Sequence, residues 1–251
     1  MKTWKTLAEG SFTRADLSLE FRDVMGELSF ELESSVSSHW EASLLRASQN
    51  GQRLFDGGLF HVECAKAKDG RLNFKLSRTS YRRWTYAAGR EGGASISRPM
   101  ACCAAIVSAD GKILLQERSA EVAEGAGLLH VPGGHPDPGR DMRDDLPDLF
   151  GAMEAEIEEE LALKPSDLDE GRILALIENV ENGKPELLFR YECTLSSEQI
   201  ASRSILGRDI YEYDCLWFIP SDPVKLEAFL AENEKRLAVP SQALLKLLSK
   251  I

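Results

Sequence analysis

Residues 152–163 read AMEAEIEEELAL, and no other segment restricts the fold as tightly. At about 100° per residue, Glu156, Glu159 and Glu160 fall within roughly 100° of one helical face. Leu149, Met153, Ile157 and Leu161 form the adjoining apolar stripe, which a folded chain has to bury. Glu154 and Glu158 point the other way, toward solvent. Like charges at i, i+3 and i+4 destabilise an isolated helix. The rest of the chain must therefore cover the stripe and also make three carboxylates tolerable along its border. A solvated acidic face is one solution. A hard cation such as Mg²⁺, held by carboxylate oxygens, is the other.

The charge of the whole chain bears on that choice. Lys and Arg number 30 against 41 Asp and Glu, a net charge of -11, which is not the footprint of a nucleic-acid binder. Residues 1–97 carry 14 basic and 12 acidic side chains, so they are close to neutral, and the acid is concentrated after residue 97. No window of about 18 uncharged apolar residues exists to cross a membrane. Met1 to Gly10 carries Lys2 and Lys5 but no continuous apolar stretch, unlike a secretory signal. The five cysteines, Cys64, Cys102, Cys103, Cys193 and Cys215, are odd in number and form no CxxC pair. They read as buried thiols of a reducing compartment, which makes the cytoplasm the expected location.

Two units are expected, residues 1–97 and 98–251. In the first, Leu17, Leu19 and Phe21 alternate as in a half-buried strand, 37–48 has a helical pattern, and 59–64 and 72–76 flank the turn Lys68-Asp69-Gly70. GREGGASIS, residues 89–97, marks the boundary. In the second, 100–108 and 112–117 form a hairpin around Ala109-Asp110-Gly111. A short strand, 128–132, then ends in Gly133-Gly134. The acidic helix is predicted over 146–163, with Asp145 as its N-cap and Pro147 in its first turn. Strands follow at 172–180, 187–195 and 213–219, and helices at 197–204, 222–237 and 240–250.

The strand end Val131-Pro132-Gly133-Gly134 ahead of the glutamates decides between the two solutions, because glycines let backbone approach closely. Here the sequence resembles the Nudix hydrolases, whose box reads G-x5-E-x7-R-E-U-x-E-E-x-G-U with U apolar. The end of the box matches residues 155–163, AEIEEELAL, and all three metal-binding glutamates of the family are present. Three features depart from it. Ala155 stands where the family has arginine, and Ala162 where it has glycine. Gly134 to Glu156 spans 22 positions where the box has 15, and Arg140 occupies the place of the early glutamate. Loss of the box arginine removes a salt bridge that orients the helix; loss of the early glutamate removes a secondary support.

One branch of the family, which hydrolyses UDP-glucose and UDP-galactose, has a similar insertion, lacks the same arginine and carries an N-terminal extension. LLHVPGGHPDP, residues 128–138, is similar to that branch, as are Arg118 with Val122-Ala123-Glu124, Thr79-Ser80-Tyr81-Arg82, Leu54-Phe55-Asp56 and TLSSEQ at 194–199. The similarity runs from about residue 40 to about residue 200.

The resemblance implies an α/β/α sandwich with a mixed sheet, preceded by a smaller β-rich domain. It implies a Mg²⁺-dependent pyrophosphatase, with Mn²⁺ the alternative ion, acting on a small nucleotide sugar to give UMP and a sugar 1-phosphate. Glu156, Glu159 and Glu160 would hold the metal, and Glu156 or Glu160 would serve as general base. Tyr81, Arg82, Arg118, Gly133, Gly134 and His135 would meet the substrate. His39, His61 and His130 read as structural. The alternatives are a Nudix hydrolase of ADP-ribose or another nucleoside diphosphate derivative, and a non-catalytic module that binds nucleotide.

Overall fold

The computed structural model describes residues 3–122 and 124–251; Met1, Lys2 and Ala123 of the Val122-Ala123-Glu124 match lie outside the described residues. From the N-terminus the chain runs through β1 (Trp4–Phe12), β2 (Leu17–Met25), α1 (Phe30–Gln49), β3 (Gly58–Lys68), β4 (Arg71–Ser80), α2 (Tyr81–Ala87) and α3 (Gly93–Ile96). It continues with β5 (Ala101–Val107), β6 (Lys112–Arg118), β7 (Leu129–His130), β8 (Gly133–Gly134), β9 (Met142–Arg143), β10 (Leu146–Pro147) and α4 (Leu149–Leu161). The remainder forms β11 (Arg172–Asn179), β12 (Pro185–Glu192), α5 (Ser197–Ser204), β13 (Tyr213–Pro220), α6 (Pro223–Asn233) and α7 (Val239–Leu248).

The large sheet has the order β1-β11-β12-β5-β6-β13, with β7 paired to β6 and β8 to β5. It is mixed: β12 and β5 run parallel, while β11 and β12 and the β6–β13 pair run antiparallel. β5 has the sequence ACCAAIV and is buried on both faces, as a continuous apolar strand at the centre of a sandwich should be. Cys102, Ala104 and Ile106 face Met153, Ile157 and Leu161 of α4. Cys103, Ala105 and Val107 face Leu226 of α6 and Leu244 and Leu245 of α7. The sheet is thus covered on both sides, which gives the expected α/β/α layering.

The smaller sheet has the order β2-β4-β3, with β2 parallel to β4. Its hairpin turns at Asp69 and Gly70, both at positive φ, the geometry a two-residue type I′ turn requires. Phe60, Val62, Leu72, Phe74 and Leu76 of this sheet join the same apolar core as α4, so the two parts share an interior.

β1 was not legible in the sequence. Its bulges between Thr6 and Ala8 and between Glu9 and Phe12 break the two-residue alternation, although Trp4, Ala8 and Phe12 are buried. It pairs with β11 and so lies in the large sheet, across the expected boundary at residue 97. The start of the acidic helix also differs from expectation. Asp144 and Asp145 adopt positive φ and turn β9 into β10, and Asp148 is the N-cap, its carboxylate accepting the Gly151 amide at 2.9 Å. Pro147 therefore ends β10 and does not enter the helix. The cysteines are free, and Cys102, Cys103 and Cys193 are buried as expected; Cys215, on β13, is instead exposed. Among the described residues, no helix is long and apolar enough to cross a membrane.

α4 ends at Ala162, which takes a left-handed conformation at φ 53° and ψ 26° while its amide bonds to the Glu158 carbonyl at 2.9 Å. That conformation costs an L-residue with a Cβ about 1–2 kcal/mol, and glycine almost nothing. Ala162→Gly is accordingly expected to stabilise the fold by about 1 kcal/mol once the greater freedom of the unfolded chain is subtracted. In thermal denaturation this is a rise of about 2–4 °C, and an unchanged or lower midpoint contradicts it.

Candidate active site

The site is set by where α4 meets the strand ends. β8 pairs Gly133 with Cys103 and Gly134 with Cys102, fixing the glycine loop to the central strand. A Cβ on Gly133 would stand 2.4 Å from the Cys102 carbonyl oxygen, and one on Gly134 would stand 2.5 Å from a carboxylate oxygen of Glu156. Backbone excludes a side chain at Gly133, whereas one at Gly134 would displace the Glu156 carboxylate. The expected close backbone approach is therefore made to Cys102 at one glycine and to Glu156 at the other.

The apolar stripe of α4 is buried throughout: Leu149, Met153, Ile157 and Leu161 are each 1% exposed or less. Glu160 lies beside it and is itself 1% exposed, accepting a hydrogen bond from Gln116 Nε2 at 2.8 Å. Burial, then the carboxylates of Glu156 and Glu212, push its pKa well above the usual range. Glu156 is raised to about 7, mainly by burial and further by Glu159 and Glu212, against the opposing charge of Arg140. Glu158 is exposed as expected. Glu154 is not simply solvated: it pairs with Arg14 Nη2 at 3.0 Å, and that guanidinium lies over the Phe150 ring.

Two cations meet the acidic face. Arg140 Nη2 is 2.9 Å from Glu156 Oε1, and its Nη1 is 3.1 and 3.2 Å from the two oxygens of Glu159. Arg208, exposed, also pairs with Glu159. Four carboxylates, Glu156, Glu159, Glu160 and Glu212, form a donor set of hard oxygens suited to Mg²⁺ or Mn²⁺. By type the residues fit a divalent cation. Among the described residues, however, no three His, Cys, Asp or Glu side chains converge closely enough to share one ion. Arg140 spans Glu156 and Glu159, and Glu160 is engaged by Gln116.

A second polar cluster adjoins the glycine loop. The Glu124 carboxylate accepts from Tyr81 Oη at 2.8 Å, Trp84 Nε1 at 3.3 Å and Lys184 Nζ at 2.9 Å. Burial lowers the Lys184 pKa, but Glu124 and Glu186 outweigh it and keep the ammonium charged. Glu186, also buried, is raised to about 6. The Tyr81 ring stands edge-to-face with Trp40 and with His135, whose centroid is 6.1 Å away. Burial, with Lys184 nearby, lowers His135 to about 4, so its ring is neutral near pH 7; its Nε2 is buried without a hydrogen-bond partner.

The structure thus gathers Glu156, Glu159 and Glu160 on one face and brings Tyr81 to His135. Arg118 donates from Nε to the Glu124 carbonyl at 3.0 Å, and its charge opposes the burial of both Glu160 and Glu212. Arg82 is elsewhere engaged: it pairs with Glu33, and its amide and Nε face Asp56. His61 accepts the Arg98 amide and His39 packs on Tyr86, the structural roles expected of them. Sequence reasoning missed Gln116, Glu212, Lys184 and the reach of Arg140. Gln116 alone had a signal, since two-residue alternation puts it on the same strand face as Arg118.

No family model matches the chain. The human protein named uridine diphosphate glucose pyrophosphatase NUDT22 is 27% identical over 227 residues, covering 77% of this chain and 74% of its own. Nudix hydrolase 9 of Arabidopsis thaliana is 25% identical over 234 residues, covering 78% and 74%. Among solved structures, a Nudix hydrolase from Alicyclobacillus acidocaldarius is similar at a TM-score of 0.42 and 13% identity, over 62% of this chain and 92% of that one. The resemblance to Nudix hydrolases that begins at the box extends over most of the chain.

The raised pKa of Glu160 has a consequence for stability. Its ionisation is disfavoured in the fold, so the penalty starts above the ordinary carboxylate pKa and grows as pH rises toward the folded value. Glu160→Gln keeps the shape and can still accept from Gln116. In buffer with EDTA its melting midpoint at pH 8 should exceed that of the parent protein by several degrees, about 2–4 °C per kcal/mol. The gap should close toward pH 5. A lower midpoint at pH 8 would mean that Glu160 is held ionised and paired.

Proposed function

We propose that this chain, whose relatives are Nudix hydrolases, is a divalent-cation-dependent pyrophosphatase that cleaves a UDP-sugar to UMP and a sugar 1-phosphate. The observation that carries the reading is the row of half-buried Glu156 and Glu159 and fully buried Glu160 on one helix face, beside a glycine loop that approaches Glu156. Those glutamates would hold Mg²⁺ or Mn²⁺, which when bound supplies positive charge to the diphosphate oxygens. The uridine branch is chosen because the human relative that resembles 77% of this chain carries uridine diphosphate glucose in its name.

The chain's own groups then divide the work. Glu156 or Glu160 takes the proton of the attacking water; at about 7, the pKa of Glu156 is in the range a general base needs at neutral pH. Arg118 adds a fixed cation near Glu160 and Glu212 for phosphate charge. Tyr81 and neutral His135 offer ring faces to the nucleotide, and the unpartnered His135 Nε2 offers one hydrogen bond. Gly133 and Gly134 let the central strand and the Glu156 carboxylate approach closely beside them. Arg82 is left out of the substrate contacts because Glu33 and Asp56 hold its guanidinium. Residues 1–97 and 98–251 are read as two contributors to one site, with Tyr81 from the first and His135 from the second.

A second reading, a nucleotide-binding module without turnover, draws on the absence of three converging ligands among the described residues. A panel of UDP-, ADP- and GDP-linked compounds, assayed for released monophosphate with and without Mg²⁺, separates the two. UMP release is expected to be preferred, to vanish without the cation, and to drop by about 10³-fold or more in Glu160→Gln. Faster AMP release would shift the substrate to ADP-ribose or a relative of it. Metal-independent binding with no product would favour the module.

A further inference from the structure

The seven extra positions between Gly134 and Glu156 bring one cation onto the acidic face of α4. Arg140 lies in the lengthened loop between them, and all three nitrogens of its guanidinium donate hydrogen bonds. Nε donates to Asp141 Oδ1 at 2.7 Å and Nη2 to Asp141 Oδ2 at 3.0 Å, a two-pronged pairing. Nη2 also donates to Glu156, and Nη1 to both oxygens of Glu159. These are oxygens of the glutamates that the proposed function gives to the metal. Asp141 is differently placed: it is 7% exposed, its carboxylate accepts the Asp137 amide at 2.7 Å, and its carbonyl accepts the amide of Asp148, the N-cap of α4, at 2.9 Å.

Resting on the reading of Glu156, Glu159 and Glu160 as ligands, we propose that Arg140 is a resident counter-cation, and that a divalent ion binds by exchange with it. The guanidinium gives up Glu156 and Glu159 while Asp141 keeps hold of it. The charge argument is direct. Glu156 and Glu159 place like charges on one helix face, and Arg140 is the cation paired with both. A dication does the same more strongly with the same oxygens, and two cations sharing them would repel. The exchange also has a route, because the Arg140 side chain is 39% exposed and can swing to solvent on its Asp141 anchor. The absence of three converging ligands follows from the same arrangement, since a guanidinium plane holds two carboxylates farther apart than a single ion does.

The opposite reading makes Arg140 an orienting support that does for α4 what the arginine missing at Ala155 would do. The two differ in sign. Removing a competitor tightens metal binding, whereas removing a support outside the ligand shell weakens it by about 10–100-fold. Mn²⁺ is the probe, titrated into the full-length protein without nucleotide at pH 8, with free ion followed by electron paramagnetic resonance. Arg140→Gln keeps most of the stem and loses the charge; it is expected to bind Mn²⁺ about tenfold more tightly or better. Arg140→Lys, charged but unable to bridge both glutamates, should fall between. In EDTA the Gln variant should melt below the parent protein, and its gain on adding Mn²⁺ should be larger. Equal or weaker binding in Arg140→Gln, with the fold intact by circular dichroism, overturns the exchange. If neither protein binds Mn²⁺, the metal reading itself falls and the exchange with it.

Discussion

Burial of like charge along the border of α4 is the constraint to which the rest of this structure answers. Leu149, Met153, Ile157 and Leu161 have to enter the core, and Glu160, one position from Leu161, is carried in with them. A buried carboxylate needs a donor or a cation to offset its lost hydration. The fold supplies Gln116 from the neighbouring strand, the charge of Arg118, and Arg140 and Arg208 at the outer edge. Gln116 and Arg118 both come from β6, Arg140 from the loop before α4 and Arg208 from the segment before β13, so the topology β6-β13 beside α4 is as necessary to the site as the glutamates are.

What was legible in the sequence follows from what repeats. α4, β5, the Lys68-Asp69-Gly70 hairpin and α5 could be read because their apolar period or turn residues are local. β1 could not, because two bulges disrupt its alternation. Asp145 misled for a related reason: Asp favours both N-caps and left-handed turns, and the choice between Asp145 and Asp148 depends on β9 pairing with β10. In the site, the three glutamates were visible from helical geometry alone. Glu212 and Lys184 were not, since each is placed by a strand end far along the chain and carries no pattern of its own.

The departures from the box belong together once the geometry is known. Ala155 removes an arginine from α4, and Arg140 returns a guanidinium to the same helix from the loop in front of it. Arg140 is carried by an exposed loop, whereas an arginine at position 155 would sit on the rigid backbone of the helix. A cation on a loop can leave; one locked into a helix face cannot.

The glycine loop depends on a second electrostatic arrangement. Glu124 gathers Tyr81, Trp84 and Lys184, while Arg118 holds its backbone carbonyl, so the segment after β6 is tied down at both main chain and side chain. Tyr81 starts α2 and His135 follows β8, and their rings meet only because this ion-paired carboxylate fixes the tyrosine. Apolar packing alone would allow the rings to slide, since it has little directionality. Three directed hydrogen bonds to one carboxylate do not. The placement of the groups proposed to contact nucleotide is therefore set by polar geometry, and a neutral residue at Glu124 would disturb them without touching the glutamates of α4.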